Sequence, residues 1–129
     1  MPWVLVPAVF YGHKIFLVLK VLLAINSKNK ERIPMKNAYL IGHITVKDQE
    51  KWTEYRNKVP ATLEPWGAKL ILRGKLCSVL SGNHEHIDTV VIRFPNLEAL
   101  NNWYSSPEYQ SLIPIRQKAA TMDLLSYEE

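Results

Sequence analysis

Two side chains of this 129-residue sequence pair a proton carrier with a fixed positive charge: His43 in "AYLIGHITV" and Arg73 in "GAKLILRG". An imidazole titrates near neutrality and moves protons, while a guanidinium fork holds a carboxylate or enolate through parallel hydrogen bonds. Thr89, with Tyr39 and Thr45 flanking His43, offers hydroxyls to shape the walls of such a site. Arg116, at the end of "WYSSPEYQSLIPIR", is a candidate for its rim. His43 is thus the candidate acid/base group, and Arg73, Tyr39, Thr45, Thr89 and Arg116 are the candidate ligand-binding residues. The competing reading is structural. In it Arg73 pairs with an acid across a subunit interface, His43 is a satisfied interface residue, and Arg116 pairs with Glu108 or Asp123.

Other chemistries find less support. His84 and His86 in "HEH" would share one side of an extended chain, as metal ligands must, but no third ligand is close in sequence, so no metal is expected. Cys77 is the single cysteine, which fits a reducing compartment and excludes an intrachain disulfide. No histidine or helix start lies near it to activate it as a nucleophile. Neither a glycine-rich phosphate loop nor a G-x-S-x-G elbow occurs, and no cofactor is expected.

The elements that must position these residues follow from periodicity. Residues 38–46 alternate as a half-buried strand. Asp48 then caps a helix in which Trp52, Tyr55, Val59 and Leu63 recur at helical spacing as core, with Pro60 kinking or restarting it and Pro65 ending it. "GAKLILRG" and "HIDTVVIRF" read as the second and third strands, joined through a break at Gly74 and a turn at "SGNH". Asn96 and Ser106 are caps, and Pro107 and Pro114 open helical turns, so the second helical region is broken. Leu97, Leu100 and Tyr104 form its apolar stripe, with Trp103, Tyr109 and Leu112 adding to the core. "TMDLLSYE" closes as a fourth strand. The order is that of an α+β, ferredoxin-like βαββαβ fold with a four-stranded antiparallel sheet.

Strict alternation assigns Leu40, Ile44, Val46, Leu70, Leu72, Val90, Ile92 and Phe94 to the face under the helices. Tyr39, Ile41, His43, Thr45, Lys69, Ile71, Arg73, Thr89, Val91 and Arg93 fall on the other face, which is too apolar for water and too polar for a dry core. In the usual strand order of this fold, His43, Thr89 and Arg73 share one row about 10 Å long, with Arg93 near Tyr39 at the opposite end.

Charge divides the chain. Residues 1–34 carry Lys14, Lys20, Lys28, Lys30 and Arg32 against Glu31, while the remainder balances eleven basic residues with eleven acidic ones. A balanced domain lacks the basic stripe that would bind nucleic acid. The apolar run from Trp3 to Ile25 is interrupted by His13, Lys14 and Lys20, and central lysines cost about 2.5–3.5 kcal/mol each on insertion. Residues 1–34 therefore read as an extension upstream of a domain at 35–129, or an added helix packing on it. The alternative is a membrane anchor with the domain on the cytoplasmic side.

"AYLIGHITVKD", "WGAKLILRG" and above all "VVIRFPNLEALNNWYSSPEYQSLIPIR" resemble the domain-of-unknown-function 1330 family of dimeric α/β-barrel proteins, over nearly all of residues 37–127. Two departures stand out. Trp66-Gly67-Ala68-Lys69 replaces a double glycine followed by arginine, and Arg93 stands where an acid precedes the "FP". The resemblance implies a ferredoxin-like protomer whose sheet packs face to face with that of a second copy, and it brings no established activity. The expectation is a cytoplasmic homodimer holding a small acidic or aromatic compound between its sheets, with cofactor-free acid/base chemistry. The alternatives are an assembly module whose open face is interface alone, and a membrane-tethered accessory domain.

Overall fold

The structure is a computed structural model and describes residues 36–129. The readings of residues 1–34, including the membrane anchor, lie outside that range. Among the described residues no helix is long and apolar enough to cross a membrane.

The elements are β1 (Ala38–Val46), α1 (Gln49–Leu63), β2 (Lys69–Lys75), β3 (Asp88–Phe94), α2 (Leu97–Ser105), α3 (Pro107–Gln110), α4 (Ile113–Ala119) and β4 (Ala120–Glu128). The strands form one antiparallel sheet in the order β2-β3-β1-β4. The fold is ferredoxin-like, with the second helix broken into three pieces as its prolines and caps require. Each start has a local cause. Asp48 accepts from the Lys51 amide at 3.1 Å, Asn96 from Ala99 at 2.8 Å and Ser106 from Tyr109 at 3.3 Å, each satisfying an amide the helix leaves free. Pro107 and Pro114 occupy first-turn positions that need no N–H. Pro60 does not interrupt α1, which continues to Leu63. Pro65 opens a short 3-10 turn, and Gly67 ends it at φ 67°, a left-handed conformation that suits glycine.

The core lies between one sheet face and the helices. Ala38, Leu40, Ile44, Val90, Ile92 and Phe94 meet Trp52, Tyr55, Leu100, Trp103 and Tyr109 there. Trp103 is buried without an orphaned donor, its indole N–H bonded to the Thr62 hydroxyl at 3.0 Å. Tyr104, expected in the apolar stripe, stays 38% exposed while Trp103 takes the inward position.

The expected alternation fails in β2. Leu70 pairs with Ile92 but Leu72 pairs with Val91, so Ile71 is an extra residue forming a β-bulge. Beyond it every side chain changes face. Leu72, expected under the helices, lies on the open face with Val91, and Arg73, expected on the open face, lies under the helices with Val90. His43 and Thr89 are directly opposite, as expected, but the third position of their row is Gly74. Tyr39 and Arg93 are paired at the other end.

Gly42 lies on the helix-facing side of β1, where a Cβ would stand 2.9 Å from Val90 Cγ1 and 3.1 Å from Met122 Cε. Valine is stiff at χ1, so the strands must move to admit a methyl. Gly42→Ala should lower unfolding free energy by about 1–3 kcal/mol, read as a lower urea midpoint with an unchanged slope.

Candidate functional site

The two faces of the sheet present different groups. On the open face, Leu125, Ile41, Val91 and Leu72 form an apolar row across all four strands. Leu125 and Leu72 are 40% and 47% exposed in the protomer. Next to this row lies a polar cluster. His43 Nδ1 meets the Thr89 hydroxyl at 3.2 Å, and Asp123 stands opposite His43 on β4. The segment between β2 and β3 folds back here, bringing His84 and His86 to His43 with ring centroids 4.9 and 6.5 Å away. His86 is buried, with Nε2 donating to Asp123 at 2.9 Å and Nδ1 bonded to the Thr45 hydroxyl at 3.0 Å.

The third imidazole that "HEH" lacked in sequence is therefore His43. Even so, no group of three histidine, cysteine or acidic residues among the described residues is placed to hold a metal ion. One reason is that His86 commits both ring nitrogens to Thr45 and Asp123. Of the expected site residues, His43, Thr45 and Thr89 gather here. Tyr39 does not: it is four residues from His43, about 13 Å along the strand, and it donates to Glu129 at 2.6 Å.

On the helix side a cavity of about 530 Å³ lies between α1 and the sheet. Its walls are mainly apolar, with Leu40, Ile44, Val90 and Ile92 from the sheet and Trp52, Val59 and Leu63 from α1. Arg56 and Arg73 both line it. Arg73 reaches it only because of the bulge at Ile71. Partial burial lowers the Arg73 pKa, and the neighbouring Arg56 charge lowers it further. Among the described residues neither guanidinium forms an ion pair, although Glu64 also borders the cavity. Lys69 borders it as well, and an apolar cavity with three like charges at its wall suits an anion carrying an apolar body.

Tyr55 and Tyr109, expected as core, also line this cavity. Their hydroxyls are 2.8 Å apart, and Arg116 Nη1 donates to the Tyr109 oxygen at 2.8 Å. Arg116 thus pairs with a phenol and with neither Glu108 nor Asp123, and its guanidinium carbon lies 5.9 Å from the centre of the Tyr109 ring. Helical spacing marked both tyrosines as inward-facing but could not distinguish a packed ring from a cavity wall.

Burial, followed by the neighbouring Tyr109, pushes the Tyr55 phenol far above the usual tyrosine range. An acid whose folded pKa is raised supports the fold fully below its unfolded pKa of about 10 and progressively less as pH rises above it. Wild-type stability should therefore fall from pH 10 upward, and more steeply than that of Tyr55→Phe. Urea unfolding of both proteins at pH 8 and pH 11 tests this, and equal losses would refute it.

Residues 37–129 match the family model described as "Domain of unknown function (DUF1330)". A search of curated proteins found no match. Among solved structures, a protein of unknown function from Rhodopseudomonas palustris, RPA0582, superposes with a TM-score of 0.64 at 13% identity, covering 82% of this chain and 92% of that one. A dimeric ferredoxin-like protein of unknown function from Jannaschia sp. CCS1 gives 0.59 at 10% identity, covering 72% and 99%. SnoaB, a cofactor-independent oxygenase from Streptomyces nogalater, gives 0.51 at 10% identity, covering 71% and 91%. At such identities these likenesses establish the fold alone. The family match spans every described element from β1 to β4, and the chain belongs to the DUF1330 family.

Proposed function

We propose that the domain is a homodimer whose protomers each bind a small carboxylate with an aromatic or apolar body, in the cavity between α1 and the sheet. The observation that carries this reading is the pair Arg56 and Arg73 at the wall of an apolar cavity. Neighbouring guanidiniums repel, and a bound carboxylate would relieve that repulsion while its body fills the space beside Leu40, Ile44 and Val90. Of the expected ligand-binding residues, Arg73 has this role, on the opposite face from the one strict alternation gives it. Arg116 acts indirectly, by holding Tyr109.

A second reading keeps acid/base chemistry on the open face, with Thr45 and Thr89 around His43. It is favoured by the His43, His84 and His86 cluster, in which His43 Nε2 has no hydrogen-bond partner among the described residues. A partner sheet would enclose that cluster and could separate it from water.

Self-association is supported by the apolar row Leu125–Ile41–Val91–Leu72, which needs cover, and by structural neighbours described as dimeric. Val91→Lys would place a charge in the middle of that row. It should convert the dimer to a monomer in sedimentation at micromolar concentration, and a wild-type monomer under the same conditions would refute the assembly.

Calorimetric titration of aromatic and aliphatic monocarboxylates tests the cavity. A charge-assisted contact that stays largely exposed is worth about 1.4 kcal/mol, so Arg73→Ala should weaken binding roughly tenfold without changing the dimer. Loss of binding in His43→Ala with Arg73→Ala unaffected would move the site to the open face. No binding to either face would leave that face as interface only.

A further inference from the structure

A polar chain runs from Arg116 through Tyr109 to Tyr55 at the wall of the cavity. A guanidinium can only donate, so at Tyr109 the oxygen accepts from Arg116 at 2.8 Å. The two hydroxyls are 2.8 Å apart and either can donate to the other; with the Tyr109 oxygen already accepting from Arg116, donation from Tyr109 to the Tyr55 oxygen gives each oxygen one accepted bond. These two bonds use one Arg116 N–H and the Tyr109 O–H. In that arrangement one hydrogen is left over, on Tyr55, and no side chain among the described residues accepts it. Tyr55 is 5% exposed and lines the cavity. The apolar side chains that line the cavity, Leu40, Ile44 and Val90 among them, offer that hydrogen no acceptor.

We propose that the Tyr55 hydroxyl donates to an uncharged acceptor oxygen, a carbonyl, on the body of the bound ligand, so that the cavity selects oxo-substituted aromatic or apolar carboxylates over analogues lacking that oxygen. This inference rests on the cavity reading above. The carboxylate is held by Arg56 and Arg73, and the carbonyl by Tyr55. Burial, with Tyr109 beside it, keeps the phenol protonated far beyond neutral pH, so it remains a donor and never presents a competing anion. A site built around one buried donor discriminates strongly, because a ligand without the oxygen leaves that donor unpaired.

The test uses two probes that differ only in a ketone and a methylene, 4-benzoylbenzoate and 4-benzylbenzoate, titrated calorimetrically into the full chain. The wild type should bind the ketone about tenfold more tightly. Tyr55→Phe should remove that preference by weakening the ketone alone, and its unchanged affinity for 4-benzylbenzoate shows that the cavity is intact. Arg73→Ala should weaken both probes alike and keep the preference. Equal wild-type affinities, or a preference that survives Tyr55→Phe, would overturn the inference and leave the cavity reading standing. Failure of both probes to bind the wild type would overturn the cavity reading and this inference with it.

Discussion

The hydroxyl bond between Tyr55 and Tyr109, 2.8 Å long, ties the helix after β1 to the helical run before β4. It is backed by Arg116 from α4, and a second polar strut joins Trp103 of α2 to Thr62 of α1 at 3.0 Å. Apolar packing is non-directional and would favour closing any gap beneath α1. Directional bonds between buried groups resist that closure, because breaking one leaves a polar atom without a partner. Every buried side-chain nitrogen or oxygen among the described residues has at least one hydrogen-bond partner. The cavity can therefore persist between helix and sheet while the helical layer stays fixed around it.

The sheet below is governed by register, and the reach of the sequence depended on how strongly each strand's register is marked. β1 has neighbours on both sides and alternates inward apolar residues with outward Tyr39, His43 and Thr45, so its faces are legible from the alternation alone. β2 is an edge strand paired only with β3. Its "KLILR" offers apolar residues at three successive positions, so the pattern reads equally well with or without an extra residue at Ile71. Nothing local marks the bulge. Its effect is large because a one-residue shift transfers Arg73 from one face of the sheet to the other.

The rest of the candidate site was hidden for a different reason. Caps and prolines act within a few residues, and Asp48, Asn96, Ser106, Pro107 and Pro114 all act where the sequence places them. The imidazole cluster depends on a segment outside regular structure returning to β1 and β4. His86 is held there by Thr45 and Asp123, which lie 41 residues before and 37 residues after it. Tyr55 and Tyr109, 54 residues apart, show the same limit on the helical side. Periodicity gives the direction a side chain faces, but not whether it meets another ring, a hydroxyl or open space.

The sheet is a partition one residue thick, and β1 shows what that implies. Gly42 and His43 are adjacent, yet Gly42 lies among Val90, Met122 and Leu124 on the cavity side while His43 meets Thr89 and His84 on the other. No side chain belongs to both environments. Effects of substitutions on opposite faces should therefore add, since distant groups without shared partners couple only weakly. The backbone of β1 and β3 is the one structure both faces share. A change that moves those strands, as a side chain at Gly42 must, alters the spacing beneath the cavity and the register of the apolar row together. Coupling between a ligand under the helices and a partner on the open sheet would have to pass through that strand displacement. The close contacts around Gly42 oppose such a displacement, so substitutions on one face should leave the packing of the other unchanged.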